Sequence, residues 1–221
     1  MNQLIFDFSR RDYPAFDTFL GQSNGELLHV LRQGDVKFVY VWGMPGSGKS
    51  HLLHAWVAQA AHNGQEALYV DAAAEPLGEQ ALSAGYLAVD QVDRLSDEGQ
   101  ALLFEIFNRA RNGAPVHLLL SADVPPGRLA IREDLRTRLG YCLVYDVKPL
   151  SDEEKVGVLQ DVVAARQLAV DTEVFHYLLN HGRRDIDSLL AMLEILVNHA
   201  AAHRCRLTLP LVRQLLKQQD T

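Results

Sequence analysis

At 221 residues, 48% apolar and 22% charged, the chain can hold one sizeable core plus a small appended unit, with the make-up of an ordinary globular protein. A formal net charge of −7, no Lys or Arg between Ser50 and Asp93, and no basic run beyond Arg10-Arg11 and Arg183-Arg184 imply little direct DNA binding. Gripping nucleic-acid phosphates takes a basic face. No apolar run approaches the ~20 residues of a membrane span, and Met1-Asn2-Gln3-Leu4 does not open a signal peptide, so a cytoplasmic protein without membrane contact is expected.

Residues 1–12 read as an arm detached from the core. In an extended segment side chains alternate, so Leu4, Phe6 and Phe8 share one face while Ile5 and Asp7 share the other. Such a row suits either insertion into a partner's groove, with Gln3 at the rim, or packing as a strand on this protein's own core.

A turn-rich lead-in over 13–24 precedes a helix over 25–33. Strands are expected over 38–42, 67–70, 86–89, 116–120 and 142–147, and helices over 51–62, 73–84, 98–112 and 131–139. Continuous apolar strands alternating with helices predict an α/β fold, a parallel sheet covered on both faces, over 13–149. Beyond Pro149 the strand pattern stops. Ser151-Asp152-Glu153-Glu154 forms a capping box, and further helices are expected over 172–181, 185–203 and 209–218, giving a small all-helical domain over 150–221.

The central motif is Gly43-Met44-Pro45-Gly46-Ser47-Gly48-Lys49-Ser50, which fits G-x-x-x-x-G-K-[ST] and lies between an expected strand and an expected helix. Its glycines let backbone N–H groups approach phosphate oxygens, and the helix N-terminus adds a positive dipole end. Lys49 would reach the β- and γ-phosphates and the Ser50 hydroxyl would sit on Mg²⁺. Pro45, Gly46, Ser47, Gly48, Lys49, Ser50 and His51 are therefore the expected contacts to ATP or ADP.

Asp90 ends a second apolar strand about forty residues on, where a carboxylate can hold the water shell of Mg²⁺ opposite Ser50. Gln91 follows it, and a glutamine orients water but cannot take its proton. Slow turnover is expected, with Asp93 able to substitute only if a turn brings it inward. Ser121-Ala122-Asp123 ends another strand, where its side chains either face the γ-phosphate or simply begin a turn. Arg136, Arg138 and Arg184 are candidates for phosphate oxygens. Cys142 and Cys205 read as inert thiols, and His199 with His203 near Cys205 lacks a fourth metal ligand.

These pieces in this order resemble the AAA+ ATPases, and within them the family of the bacterial replication initiator DnaA, over most of the chain. Phe16-Asp17-Thr18-Phe19 and Gly21-Gln22-Ser23-Asn24 are similar to the family's N-terminal box. That resemblance implies adenine-side roles for Phe16, Asp17 and Asn24. Asp90 matches the Walker B acid, and Asp123 falls in the segment similar to sensor 1. Asp134-Leu135-Arg136-Thr137-Arg138-Leu139 resembles box VII, which implies that Arg138 is an arginine finger acting in trans. Arg184-Asp185-Ile186-Asp187-Ser188-Leu189 resembles sensor 2, which implies that Arg184 lies near the γ-phosphate.

The initiator's assembly domains and its DNA-reading helix-turn-helix have no counterpart here, and Gln91 stands where the initiator has an acid. The chain looks like a trimmed DnaA-like regulator. Gln3-Leu4-Ile5-Phe6-Asp7-Phe8 is similar to the peptide by which bacterial proteins dock on the DNA polymerase sliding clamp, through Gln3, Leu4, Phe6 and Phe8. The implied function is inactivation of the initiator by promoting hydrolysis of its ATP. The implied partners are the clamp and DnaA, with possible self-association. An autonomous helicase-loader-like ATPase and a non-catalytic nucleotide-sensing scaffold are the alternatives.

Overall fold

The computed structural model describes residues 15–219 apart from 167, 184 and 204. Two compact units divide at Pro149 and Leu150.

The first unit is built on five parallel strands: β1 (Phe38–Trp42), β2 (Ala67–Asp71), β3 (Tyr86–Asp90), β4 (His117–Ala122) and β5 (Leu143–Asp146), in the order β2-β3-β4-β1-β5. Between and before them run α1 (Gly25–Gln33), α2 (Lys49–His62), α3 (Asp97–Arg111) and α4 (Glu133–Leu139). Strand side chains alternate between faces. Tyr40, Leu87, Val89, Leu118 and Leu120 therefore pack with Leu103, Ile106, Phe107 and Leu135 of α3 and α4. Val39, Val41, Ala88 and Leu119 pack on the other side with Leu27 and Leu31 of α1 and Leu52, Leu53 and Trp56 of α2. Both faces of the sheet are covered, as its apolar strands require.

Several elements depart from the expected bounds. The helix foreseen over 73–84 is a turn ending in a short 3-10 segment, Glu79–Leu82. Pro76 and Gly78 interrupt the helical pattern, and the Asp71 carboxylate accepts the Ala73 N–H at 3.0 Å, fixing a turn directly after β2. β4 runs on to Ala122, so Ser121 lies inside the strand, wholly buried. The α2 helix starts at Lys49, two residues earlier than foreseen.

The second unit holds α5 (Asp152–Ala165), α6 (Thr172–His181), α7 (Ile186–His203) and α8 (Leu209–Gln219). Ser151 Oγ accepts the Glu154 N–H at 3.1 Å while Glu154 accepts the Ser151 N–H at 2.8 Å, the reciprocal cap read from the sequence. Leu159, Phe175, Leu178, Leu193, Leu196 and Val212 form its own core. One isolated parallel bridge, Val170 to Leu207, ties the segments before α6 and α8. The rings of His199 and His203 stack on each other, 4.1 Å between centroids, and among the described residues no cluster of acids, histidines and cysteines could hold a metal. No helix among those residues is long and apolar enough to cross a membrane.

Candidate nucleotide site

The loop from Gly43 to Ser50 leaves the end of β1 and delivers the chain into α2. Gly46 and Gly48 take left-handed φ values of 78° and 97°, which favour glycine. A Cβ on Gly48 would lie 2.7 Å from the Phe19 ring, so the position is closed by space as well as by conformation.

Lys49 opens α2 and is 7% exposed. Its ammonium donates to the carbonyls of Gly43 at 2.7 Å and Met44 at 3.1 Å, and pairs with Asp123 Oδ1 at 2.9 Å. These acceptors match the three donors of an ammonium group. The Ser47 hydroxyl is buried with no partner, a polar atom ready for a ligand oxygen. Ser50 is exposed in the first turn of α2. A buried ammonium, an unpaired hydroxyl and a glycine cradle at a helix N-terminus fit an anionic phosphate chain.

Asp90 ends β3 and is 2% exposed. Register sets Asp71 of β2 beside it, and Val89 opposite Leu120 brings Ser121 of β4 to its other side. Ser121 Oγ donates to Asp90 Oδ1, the Gln91 N–H donates to that oxygen at 3.1 Å, and the Tyr69 hydroxyl donates to Oδ2 at 3.0 Å. Burial first, then the Asp90 carboxylate, pushes the Tyr69 phenol far above its ordinary range, so it stays a donor. The Tyr69 ring stacks on His54 of α2 with centroids 3.8 Å apart.

Gln91 is the one non-glycine with positive φ among the described residues, at φ 55° and ψ 55°. Its side-chain amide donates to Asp71 Oδ1 at 2.9 Å, toward the outer strand β2 and away from β1, where the phosphate loop begins. Asp93 sits exposed in the following 3-10 turn beside Arg94, 3.6 Å away.

The lead-in is pinned to the loop side. His51 Nε2 lies 3.0 Å from the Ala15 carbonyl and 3.3 Å from Thr18 Oγ1, its ring edge-on to Phe19. Phe16 is buried in the cluster below α2. Asp17 turns to Arg32 of α1 at 2.8 Å. The Asn24 amide exchanges two 2.9 Å bonds with the backbone of Lys148. Asp17, Asn24, Lys49, Asp90 and Asp123 all have partners inside the protein; Asp90 ends β3, Asp123 directly follows β4, and Lys49 and Ser50 open α2.

Arg138 lies at the end of α4 with its guanidinium 5.5 Å over the Phe104 ring of α3 and its Nε buried without a partner. Arg136 is half-buried one turn away from Arg132. Gln3, Leu4, Phe6, Phe8 and Arg184 lie outside the described residues.

Sequence reasoning missed Tyr69, Asp71 and Phe104. The first two lie on β2 two residues apart, on the face that also carries Asp90. Only the register could have named them.

The chain has counterparts among known proteins. The family model "Hda, lid domain" matches residues 152–216. An uncharacterised protein of Haemophilus influenzae is 31% identical over 230 residues, covering 97% of this chain and 98% of that one. A structure of the replication initiator DnaA bound to AMPPCP and single-stranded DNA superposes with TM-score 0.74 at 20% identity, over 97% of this chain and 71% of that chain. Domain III of the Thermotoga maritima replication initiation protein DnaA gives TM-score 0.73 at 19% identity, over 92% and 95% of the two chains.

Proposed function

Because the chain belongs to the Hda-like, DnaA-related AAA+ proteins, we propose that it is a nucleotide-binding regulator of replication initiation. It docks on the DNA polymerase sliding clamp and promotes hydrolysis of the ATP bound to the initiator DnaA. The observation that carries this reading is Gln91. At the position where a hydrolytic site places an acid, this chain has an amide tied to Asp71. Its own nucleotide is therefore held rather than spent, and the catalytic contribution goes to a partner's site.

Residues Pro45 to His51 hold the phosphates of ADP or ATP, with Lys49 released from Asp123 to the anion. Ser50 and Asp90 hold Mg²⁺, the acid through water. When bound, the metal neutralises charge on the phosphate oxygens. Arg138 acts in trans as an arginine finger, for which a guanidinium with an unpaired Nε held on an aromatic face is a suitable starting state. Gln3, Leu4, Phe6 and Phe8 engage the clamp, and Arg184 acts as the nucleotide sensor. Such a protein works in the cytoplasm, among the initiator, the clamp and DNA.

The test measures hydrolysis of initiator-bound ATP with clamp-loaded DNA, comparing the unmodified chain with Arg138→Ala and with a chain lacking residues 1–8. Both variants should lose stimulation while still binding nucleotide. Equal stimulation by Arg138→Ala removes that residue from the mechanism. The competing reading, an autonomous helicase-loader-like ATPase, predicts DNA-stimulated turnover by this chain alone at about one per second or faster.

A further inference from the structure

A carboxylate offers about four lone-pair positions. At Asp90 three are taken inside the protein: two on Oδ1, by the Ser121 hydroxyl and the Gln91 N–H, and one on Oδ2, by the Tyr69 hydroxyl. The open position is on Oδ2, the oxygen that Tyr69 holds. Tyr69 is fixed from behind by its stack on His54, so it links α2, the helix carrying Ser50, to the acid at the end of β3.

We propose that Tyr69 is a positioning residue for the divalent cation that accompanies the nucleotide: its hydroxyl leaves Asp90 one acceptor position, suited to a single water of hydrated Mg²⁺ and closed to direct two-oxygen coordination. This deepens, and rests on, nucleotide binding at the Gly43 to Ser50 loop. Mg²⁺ dehydrates reluctantly and keeps several waters, whereas Ca²⁺ collects six to eight oxygens directly, often with both oxygens of one carboxylate. An acid with a donor on each oxygen serves the first ion and refuses the second. Tyr69 thereby sets both the strength of the metal's contribution and the choice of metal.

Calorimetric titration of ADP in EDTA, in Mg²⁺ and in Ca²⁺ tests this on the full chain and on Tyr69→Phe. In the unmodified chain Mg²⁺ should tighten ADP binding more than Ca²⁺ does. Tyr69→Phe should lose roughly tenfold or more of the Mg²⁺ gain, as removal of outer-shell partners does. Its metal-free affinity should stay within about twofold, because the loop contacts are untouched. A merely structural tyrosine would shift metal-free and metal-bound affinities together. His54→Ala, which keeps the hydroxyl and removes the ring's support, should give a smaller loss in the same direction and serves if Tyr69→Phe does not fold. An undiminished Mg²⁺ gain in Tyr69→Phe, or equal gains from Mg²⁺ and Ca²⁺ in the unmodified chain, overturns the role of Tyr69 alone. ADP binding in none of the conditions overturns nucleotide binding itself, and this proposal with it.

Discussion

The Gln91 side chain donates to Asp71 Oδ1 at 2.9 Å, between two strand ends whose register already sets Asp71 beside Asp90. An acid at position 91 would meet the Asp71 carboxylate instead of donating to it. Gln91→Glu should therefore cost on the order of 1 kcal/mol of stability near neutral pH. Asp71→Asn should remove most of that cost. Urea unfolding of both single variants and the double variant reads the coupling, and strictly additive effects would contradict the pairing.

Gly48 combines a φ of 97° with a Phe19 ring carbon 2.7 Å from where a Cβ would stand. Gly48→Ala should destabilise the first unit by about 2 kcal/mol or more, of which the left-handed backbone accounts for roughly 1–2 kcal/mol. Adding Phe19→Ala should relieve the steric part and leave the backbone part. Denaturant midpoints across the three variants separate the two.

Lys49 is the buried cation of the phosphate loop, and its acidic partner Asp123 has a 57% exposed side chain. Removing the lysine returns Asp123 to water and leaves no uncompensated buried charge. Lys49→Ala should keep its circular dichroism spectrum while ADP affinity falls by about 2 kcal/mol or more, some thirtyfold in Kd. Unchanged heats of ADP binding would count against the loop as the site.

His54 and His117 both titrate below the ordinary histidine value of 6.5, burial being the first cause in each. Asp90 opposes the shift at His54, and Lys37 reinforces it at His117. A histidine kept neutral in the fold binds its proton only after unfolding. Between its folded pKa and 6.5 the unfolded state thus holds more protons, and stability rises with pH. The contribution is complete above about pH 7 and is lost as pH falls below 6.5. The urea midpoint should be lower near pH 5.5 than near pH 7.5, and the difference should shrink in His117→Gln. Asp134, held low by its hydrogen bond to Arg132, acts in a separate window below its ordinary value of 3.8.

The phosphate loop, its flanking strand and helix, and Asp90 at a strand end were legible because each is specified within a few consecutive residues. The covered parallel sheet followed from strands with no polar face, and the capping box at Ser151 from two residues three apart. What escaped reading depends on pairings between distant segments. Tyr69 and Asp71 look like any edge-strand residues until register sets them against Asp90. Asp17 pairs with Arg32 and Asn24 with the Lys148 backbone, the latter 124 residues away, contacts that no local pattern announces. The segment 73–84 reads as a helix by its alanines and leucines, but the Asp71 carboxylate fixes a turn first.

One amide side chain near the start of the described chain behaves as a miniature strand. Asn24 both gives and receives a backbone bond at Lys148, just past the last strand of the sheet. Opening the front of this unit thus means unzipping its rear, and the two ends fray as one event. The Lys148 amide proton, though it belongs to a residue outside any regular element, should exchange with solvent as slowly as the lead-in opens, and Asn24→Ala should set it free.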